Sequence, residues 1–211
     1  MPKESTPAVE VHVETRAQLR EWLAGHATPD SSSIWLVTWK KATGRPAPSY
    51  DDIVEEALCF GWIDSTSRTL DAERSALRLA PRRRRSGWAR TNKVRIVRLE
   101  AQGLMTDAGR AVIDRAKADG SWTLLDDVED LTVPDDLAAA LAGHGDARAN
   151  FDAFPRSVRR ATLAWVAQAG RPETRRRRIE EAAGRAENNE RAGPARTGPP
   201  RSAAPAPKAA R

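Results

Sequence analysis

Along the first eighty residues the spacing of apolar positions changes several times, and each change marks an element. VEVHV (9–13) alternates apolar and polar residues, the pattern of a half-buried strand. Leu19, Trp22 and Leu23 then recur at helical spacing behind Thr15 and Gln18, a capping-box pair, and Gly25 ends the run. IWLVTWKK (34–41) is rich in β-formers. Its Trp35, Val37 and Trp39 share one face, so a sheet with tryptophan packed beneath it is expected. After the loop TGRPAPS (43–49), Ser49 and Asp52 repeat the capping box, and Ile53, Val54, Ala57 and Leu58 form a buried stripe. Gly61 suits a left-handed helix end. WIDSTSRTL (62–70) and ERSALRLA (73–80) read as two strands turning near Asp71, closed by Pro81.

From there to residue 189 the period is helical. Ser86 is placed to cap a helix over 87–102, and Thr106 caps another that Gly120 stops. Pro134 stands at the start of DDLAAALAG, and further helices are expected near 146–153, 156–169 and 172–188. The chain shows no repeat of solenoid length. The fold class predicted is α+β: a small N-terminal β-sheet with helices, followed by a helical C-terminal part. Its organisation is expected to be a disordered segment over 1–8, an α+β domain over 9–122 and a helical region over 123–189 packed on it. A disordered basic Pro/Ala-rich tail follows over 190–211.

Composition narrows this picture. The 211 residues are enough for one good core or two small ones. The single cysteine, Cys59, allows no intrachain disulfide and sits in an apolar run, which favours an inert core thiol over a nucleophile. His12, His26 and His144 are far apart, and none has a Cys or His at ligand spacing, so no metal and no cofactor is expected. The N-terminus lacks a signal-length apolar stretch and no eighteen apolar residues run together, which predicts a soluble, cytoplasmic protein without a membrane span. The net charge is +6, but residues 190–211 hold five basic residues against one acidic, leaving +2 for the rest. The tail therefore implies weak, non-specific, salt-sensitive contact with nucleic acid.

Candidate chemistry centres on PRRRRSGWARTNKVRIVRL (81–99), which holds eight basic residues and no acidic one. On a helix, Trp88, Asn92, Ile96 and Leu99 share a face, so the Asn92 amide interrupts an apolar stripe. On the strand before it, Trp62, Asp64, Thr66 and Arg68 share the face away from Ile63. With Ile63 toward the main core, Asp64 lies opposite it, and the hairpin brings Arg82 and Ser86 close. The candidate ligand-binding set is therefore Trp62, Asp64, Arg82, Ser86, Trp88, Asn92 and Lys93. No catalytic set is assigned, because a lone carboxylate without a partner base, nucleophile or metal motif is thin evidence for catalysis. The plainer reading has Asp64 only fixing the hairpin to the helix start. Arg175–Arg178 with Glu180 and Glu181 read as a solvated, ion-paired helix face, and Trp165 as part of a core stripe. No glycine fingerprint, phosphate loop or base-stacking motif is present.

ALCFGWIDS, PRRRRSGWARTNKVRIVRL, GLMTDAGRAVIDRAKADGSW, VPDDLAAAL and FPRSVRRATLAWVAQAGRPETRRRRIEEA occur in this order. Together they resemble the YdeI/OmpD-associated, or bacteriocin-protection, family over residues 9–188. The resemblance rests on Asp64 after Gly-Trp-Ile, on Pro81, Arg82, Ser86 and Trp88, and on the Asn92–Lys93 pair. Late in the chain it rests on Glu173, Thr174, Arg175, Arg178 and Ile179. Gly170 departs from it, standing where the family usually has a lysine. The resemblance implies a role in resisting antimicrobial peptides or envelope stress, association with an outer-membrane porin, and no established reaction. The function expected is a non-enzymatic stress-protection protein that binds an unknown partner protein or a small anionic ligand. Two alternatives stay open: nucleic-acid association through 82–98 and the tail, and an enzyme acting on a small anionic substrate with Asp64 and arginines.

Overall fold

The computed structural model describes residues 9–28 and 31–193; the expected segment 1–8 and residues 194–211 of the expected tail lie outside them. Four strands, β1 (Glu10–His12), β2 (Ile34–Trp39), β3 (Trp62–Thr69) and β4 (Arg74–Pro81), form one sheet in the order β1-β2-β4-β3. β1 runs parallel to β2, and the other pairs are antiparallel. A parallel pair needs a crossover, and helix α1 (Arg16–His26) supplies it. The β3–β4 turn is set by Asp71, whose Oδ1 accepts from the Arg74 and Glu73 amides at 2.7 and 2.9 Å.

Helices α2 (Tyr50–Cys59), α3 (Arg90–Ala101) and α4 (Asp107–Ala118) complete this part, with a short α5 (Asp126–Glu129). Both expected capping boxes form, at Thr15/Gln18 and Ser49/Asp52, and Thr106 caps α4. The core joins Leu19 and Leu23 of α1 to Leu36, Leu79 and Trp62 of the sheet and to Ile53, Ala57 and Leu58 of α2. Register places Trp35, Val37 and Trp39 together on one face, as expected. The face turned to the helices is the other one, with Ile34 and Leu36, so the tryptophans do not pack beneath the sheet. Instead the Arg68 and Arg45 guanidiniums lie 4.3 and 4.2 Å from the Trp35 and Trp39 ring centres.

α2 is buried along most of its length, including Glu55 and Glu56. These acids are held by arginines from other helices: Arg16 to Glu56 at 2.6 Å and to Glu55 at 2.9 Å, Arg20 to Glu56 at 2.8 Å, and Arg98 to Glu55. Removing one partner would strand a buried charge, so the network fixes α1 and α3 against α2. α2 ends where α4 begins. Thr106 Oγ1 donates to the Cys59 carbonyl at 2.6 Å, and a Cβ at Gly109 would stand 2.2 Å from that same oxygen. Only glycine allows this approach.

The chain divides into two compact units between Thr132 and Val133. The expected boundary after residue 122 falls too early. Trp122 leans on Trp88 at 5.1 Å between ring centres, and Lys93 and Arg90 form ion pairs with Asp126 and Asp130. These contacts keep 123–132 with the sheet unit. The second unit has four helices among the described residues: α6 (Asp135–Gly143), α7 (Ala147–Ala153), α8 (Arg156–Ala167) and α9 (Pro172–Glu187). α9 buries Ile179, Ala182, Ala183 and Ala186 among Leu137, Leu141, Phe151 and Val166, its small residues letting neighbouring helices approach.

Candidate functional site

Arg82 stands where the sheet, the helices and the basic run meet. β4 ends at Pro81, and the Arg82 amide donates to the Gly61 carbonyl at 3.0 Å. Its side chain then turns inward and is 5% exposed. Nη2 donates to the Gly87 carbonyl at 2.5 Å, and the guanidinium carbon lies 3.5 Å from the Trp88 ring centre. Nε and Nη1 are buried and have no partner. Burial pushes the Arg82 pKa down to about 10, and only the charge of Asp64 opposes that shift. A desolvated cation with unused donors is costly to keep and is suited to receive an anion.

Beside Arg82 lies a cleft of about 180 Å³. Phe60, Gly61, Trp62 and Pro81 form one side. Ala108, Ala111, Val112 and Arg115, at i, i+3, i+4 and i+7 of α4, form the other. The Arg115 side chain has no hydrogen bond or ion pair among the described residues. A smaller hollow shares Arg82, Val112 and Arg115 with the cleft and opens onto Arg83, Arg84 and Arg85. Gly61 carries the chain past this point with φ +74°, and a Cβ there would meet Val112 Cγ2 at 2.6 Å. The helix-to-strand turn from α2 into β3 and the cleft wall thus share one glycine.

Of the seven candidate residues, the structure brings together Trp62, Arg82 and Trp88. Asp64 is elsewhere. It pairs in register with Leu79 and therefore lies on the helix side of the sheet, not opposite the core. The reason is that Trp62, only 1% exposed, takes the core position, and the two-residue period carries Asp64 to the same side while Ile63 turns away. Asp64 Oδ2 accepts from Tyr50 Oη at 2.7 Å and not from Arg82 or Ser86. That bond pushes the Tyr50 phenol up to about 12. Ser86 donates to the Arg83 carbonyl at 2.8 Å and caps nothing; α3 starts behind Ala89 without a side-chain cap. Asn92 Oδ1 accepts from Arg95 Nη1 at 3.2 Å, and Lys93 pairs with Asp126.

The basic run is also less open than its composition suggests. Arg90 and Arg95 reach Asp130 and Asp51 at 2.8 and 2.6 Å, and Arg98 reaches Glu55. Arg83, Arg84 and Arg85 are the exposed remainder of the 82–85 run. In the second unit, Glu180 lies 2.9 Å from His144 and Glu181 pairs with Arg185, not with Arg176–Arg178. Arg175 instead pairs with Asp136 at 2.7 Å, and Arg178 donates to the Trp165 carbonyl at 2.5 Å. Sequence reasoning missed Arg115 and Tyr50. The signal for Arg115 was the small-residue face of α4; Tyr50 had no local signal.

Residues 130–189 match the family described as Bacteriocin-protection, YdeI or OmpD-Associated. The YdeI/OmpD-associated match therefore falls on the helical unit and takes in Gly170, Glu173, Thr174, Arg175, Arg178 and Ile179. It is shorter than the resemblance expected over 9–188. Residues 11–112 match instead a domain of unknown function, DUF8412, and this stretch carries Trp62, Asp64, Arg82, Ser86, Trp88, Asn92 and Lys93. Roles for these seven cannot be taken from the YdeI/OmpD-associated match. No curated protein and no solved structure matches the chain. Among the described residues no helix is long and apolar enough to cross a membrane.

Proposed function

We propose that the sheet unit binds a small anion in the Arg82 cleft. On this reading the chain is a binding protein in the stress-protection setting that the YdeI/OmpD-associated description suggests. The observation that carries it is the pair of unpartnered nitrogens, Nε and Nη1, on a buried guanidinium at the cleft wall. Arg115, unpaired on the opposite wall, supports it. Binding is favoured over acid–base chemistry by Asp64, because Asp64 is engaged by Tyr50 and does not line the cleft.

The test is thermal unfolding against acetate, phosphate and benzoate at constant ionic strength. A ligand of the folded state stabilises by mass action, about 2.7 kcal/mol at one hundred times its Kd. A saturable rise in Tm with at least one anion, absent in Arg82→Met, is expected. Rises that are equal in both proteins, or no rise at all, refute the reading.

A further inference from the structure

The cleft's walls say more than that its ligand is charged. We infer that the anion is a monocarboxylate with a short apolar body, a reading that rests on the Arg82 site proposed above. Three features point to this class. The surfaces facing each other across the cleft are apolar: Phe60, Trp62 and Pro81 against Ala108, Ala111 and Val112. A hydrophilic anion would leave them wet, whereas an alkyl chain or a single ring covers them. The second feature is the small number of donors. Besides the two arginines, the lining offers the Trp62 indole N–H and Thr28, whose hydroxyl is already 3.0 Å from Ser31 Oγ.

A carboxylate has two oxygens and is satisfied by two guanidiniums; an inorganic phosphate dianion has four, three of them unprotonated acceptors. Its natural donors, Arg83–Arg85, line the neighbouring hollow and not the cleft. The third feature is volume. About 180 Å³ limits the body to a few carbons or one ring. The carboxylate lies between Arg82 and Arg115, and the body lies along the Ala108–Val112 face. The Arg82 charge, already stripped of water, interacts with the carboxylate in a low-dielectric wall, where the attraction is strongest.

The experiment is a calorimetric titration of the full chain with acetate, butanoate, hexanoate, benzoate, hexanamide and inorganic phosphate. Binding is expected to tighten about fourfold per methylene from acetate to hexanoate, with hexanamide and phosphate at least tenfold weaker than hexanoate. Arg82→Met abolishes binding, and Arg115→Gln weakens it at least tenfold. Ala111→Trp, at an exposed position on the cleft's lip, blocks hexanoate while leaving both arginines in place, and so keeps the test open if an arginine variant fails to fold. A flat series, or phosphate binding tighter than hexanoate, with Arg82 still required, overturns the carboxylate class and leaves the anion site standing. Binding indifferent to both Arg82→Met and Ala111→Trp, or no binding by any probe, overturns both.

Discussion

Replacing Arg82 by methionine should leave the free protein at least as stable as before, although it removes a 95%-buried charge and all of its contacts. The side chain's favourable contacts are one hydrogen bond to the Gly87 carbonyl and the stacking on Trp88. A bond from a charged donor is worth about 1.5–3 kcal/mol, and a desolvated cation–π contact about 2 kcal/mol. Against them stand the desolvation of the cation, several kcal/mol in a protein interior, and the two unpartnered nitrogens, about 1–3 kcal/mol each. The Arg82 pKa held down to about 10 reports the same penalty from another side. Methionine keeps most of the volume and needs no partners. The balance favours Arg82→Met by about 1–2 kcal/mol, a rise of about 2–4 °C in Tm per kcal/mol for a chain of this size. Urea unfolding gives the free energy, and Arg82→Ala separates charge from volume, because the cavity it leaves costs about 2–4 kcal/mol. The folded state holds the Arg82 proton more weakly than the unfolded chain does. Wild-type stability relative to Arg82→Met should therefore rise with pH through about 10. A loss of more than about 2 kcal/mol in Arg82→Met, with the urea slope unchanged, would refute the reasoning, since it would mean that the guanidinium is well satisfied.

Gly61→Ala should cost about 2–4 kcal/mol, combining a left-handed backbone with overpacking against Val112; a change below 1 kcal/mol in urea unfolding would show that α4 yields freely. Tyr50 is the sole tyrosine, so phenolate absorbance reads one group. Its midpoint near 12 should fall toward about 10 in Asp64→Asn, while anion binding is retained because Asp64 does not line the cleft. In the helical unit Glu180 and Glu187 raise the His144 pKa. The stability this gives is present below His144's unfolded pKa of about 6.5 and is lost as pH rises through the raised value. His144→Gln should flatten that slope in a Tm-against-pH series; an unchanged slope assigns the dependence to another group.

Much of the fold was legible because it is encoded over short distances. Thr15 with Gln18, Ser49 with Asp52, and Thr106 are local caps, and each stands at the helix start expected of it. The strand pair around Asp71 was equally plain, since the aspartate itself makes the turn. What failed depended on distant partners. Whether Trp62 or Ile63 faces the core cannot be read from alternation alone, and the wrong choice put Asp64 on the wrong side of the sheet. Tyr50 became its partner only because α2 starts near that edge of β3. Glu55 and Glu56 are buried because Arg16, Arg20 and Arg98 arrive from other helices to neutralise them. Of the candidate site, Arg82 and its two tryptophans were legible as unusual residues. The cleft they border was not, because its other wall comes from α4.

The glycine contact between α2 and α4 has a mechanical consequence. Gly109 and Thr106 both press on the carbonyl of Cys59, so the first turn of α4 is pinned to the end of α2. Arg115 sits about two turns further along. Ile113 and Ala116 bury the next turns in the same core, and Val112 closes on Gly61. The distance across the cleft from Arg82 to Arg115 is therefore set by a helix anchored along its length, like a ruler clamped at several marks.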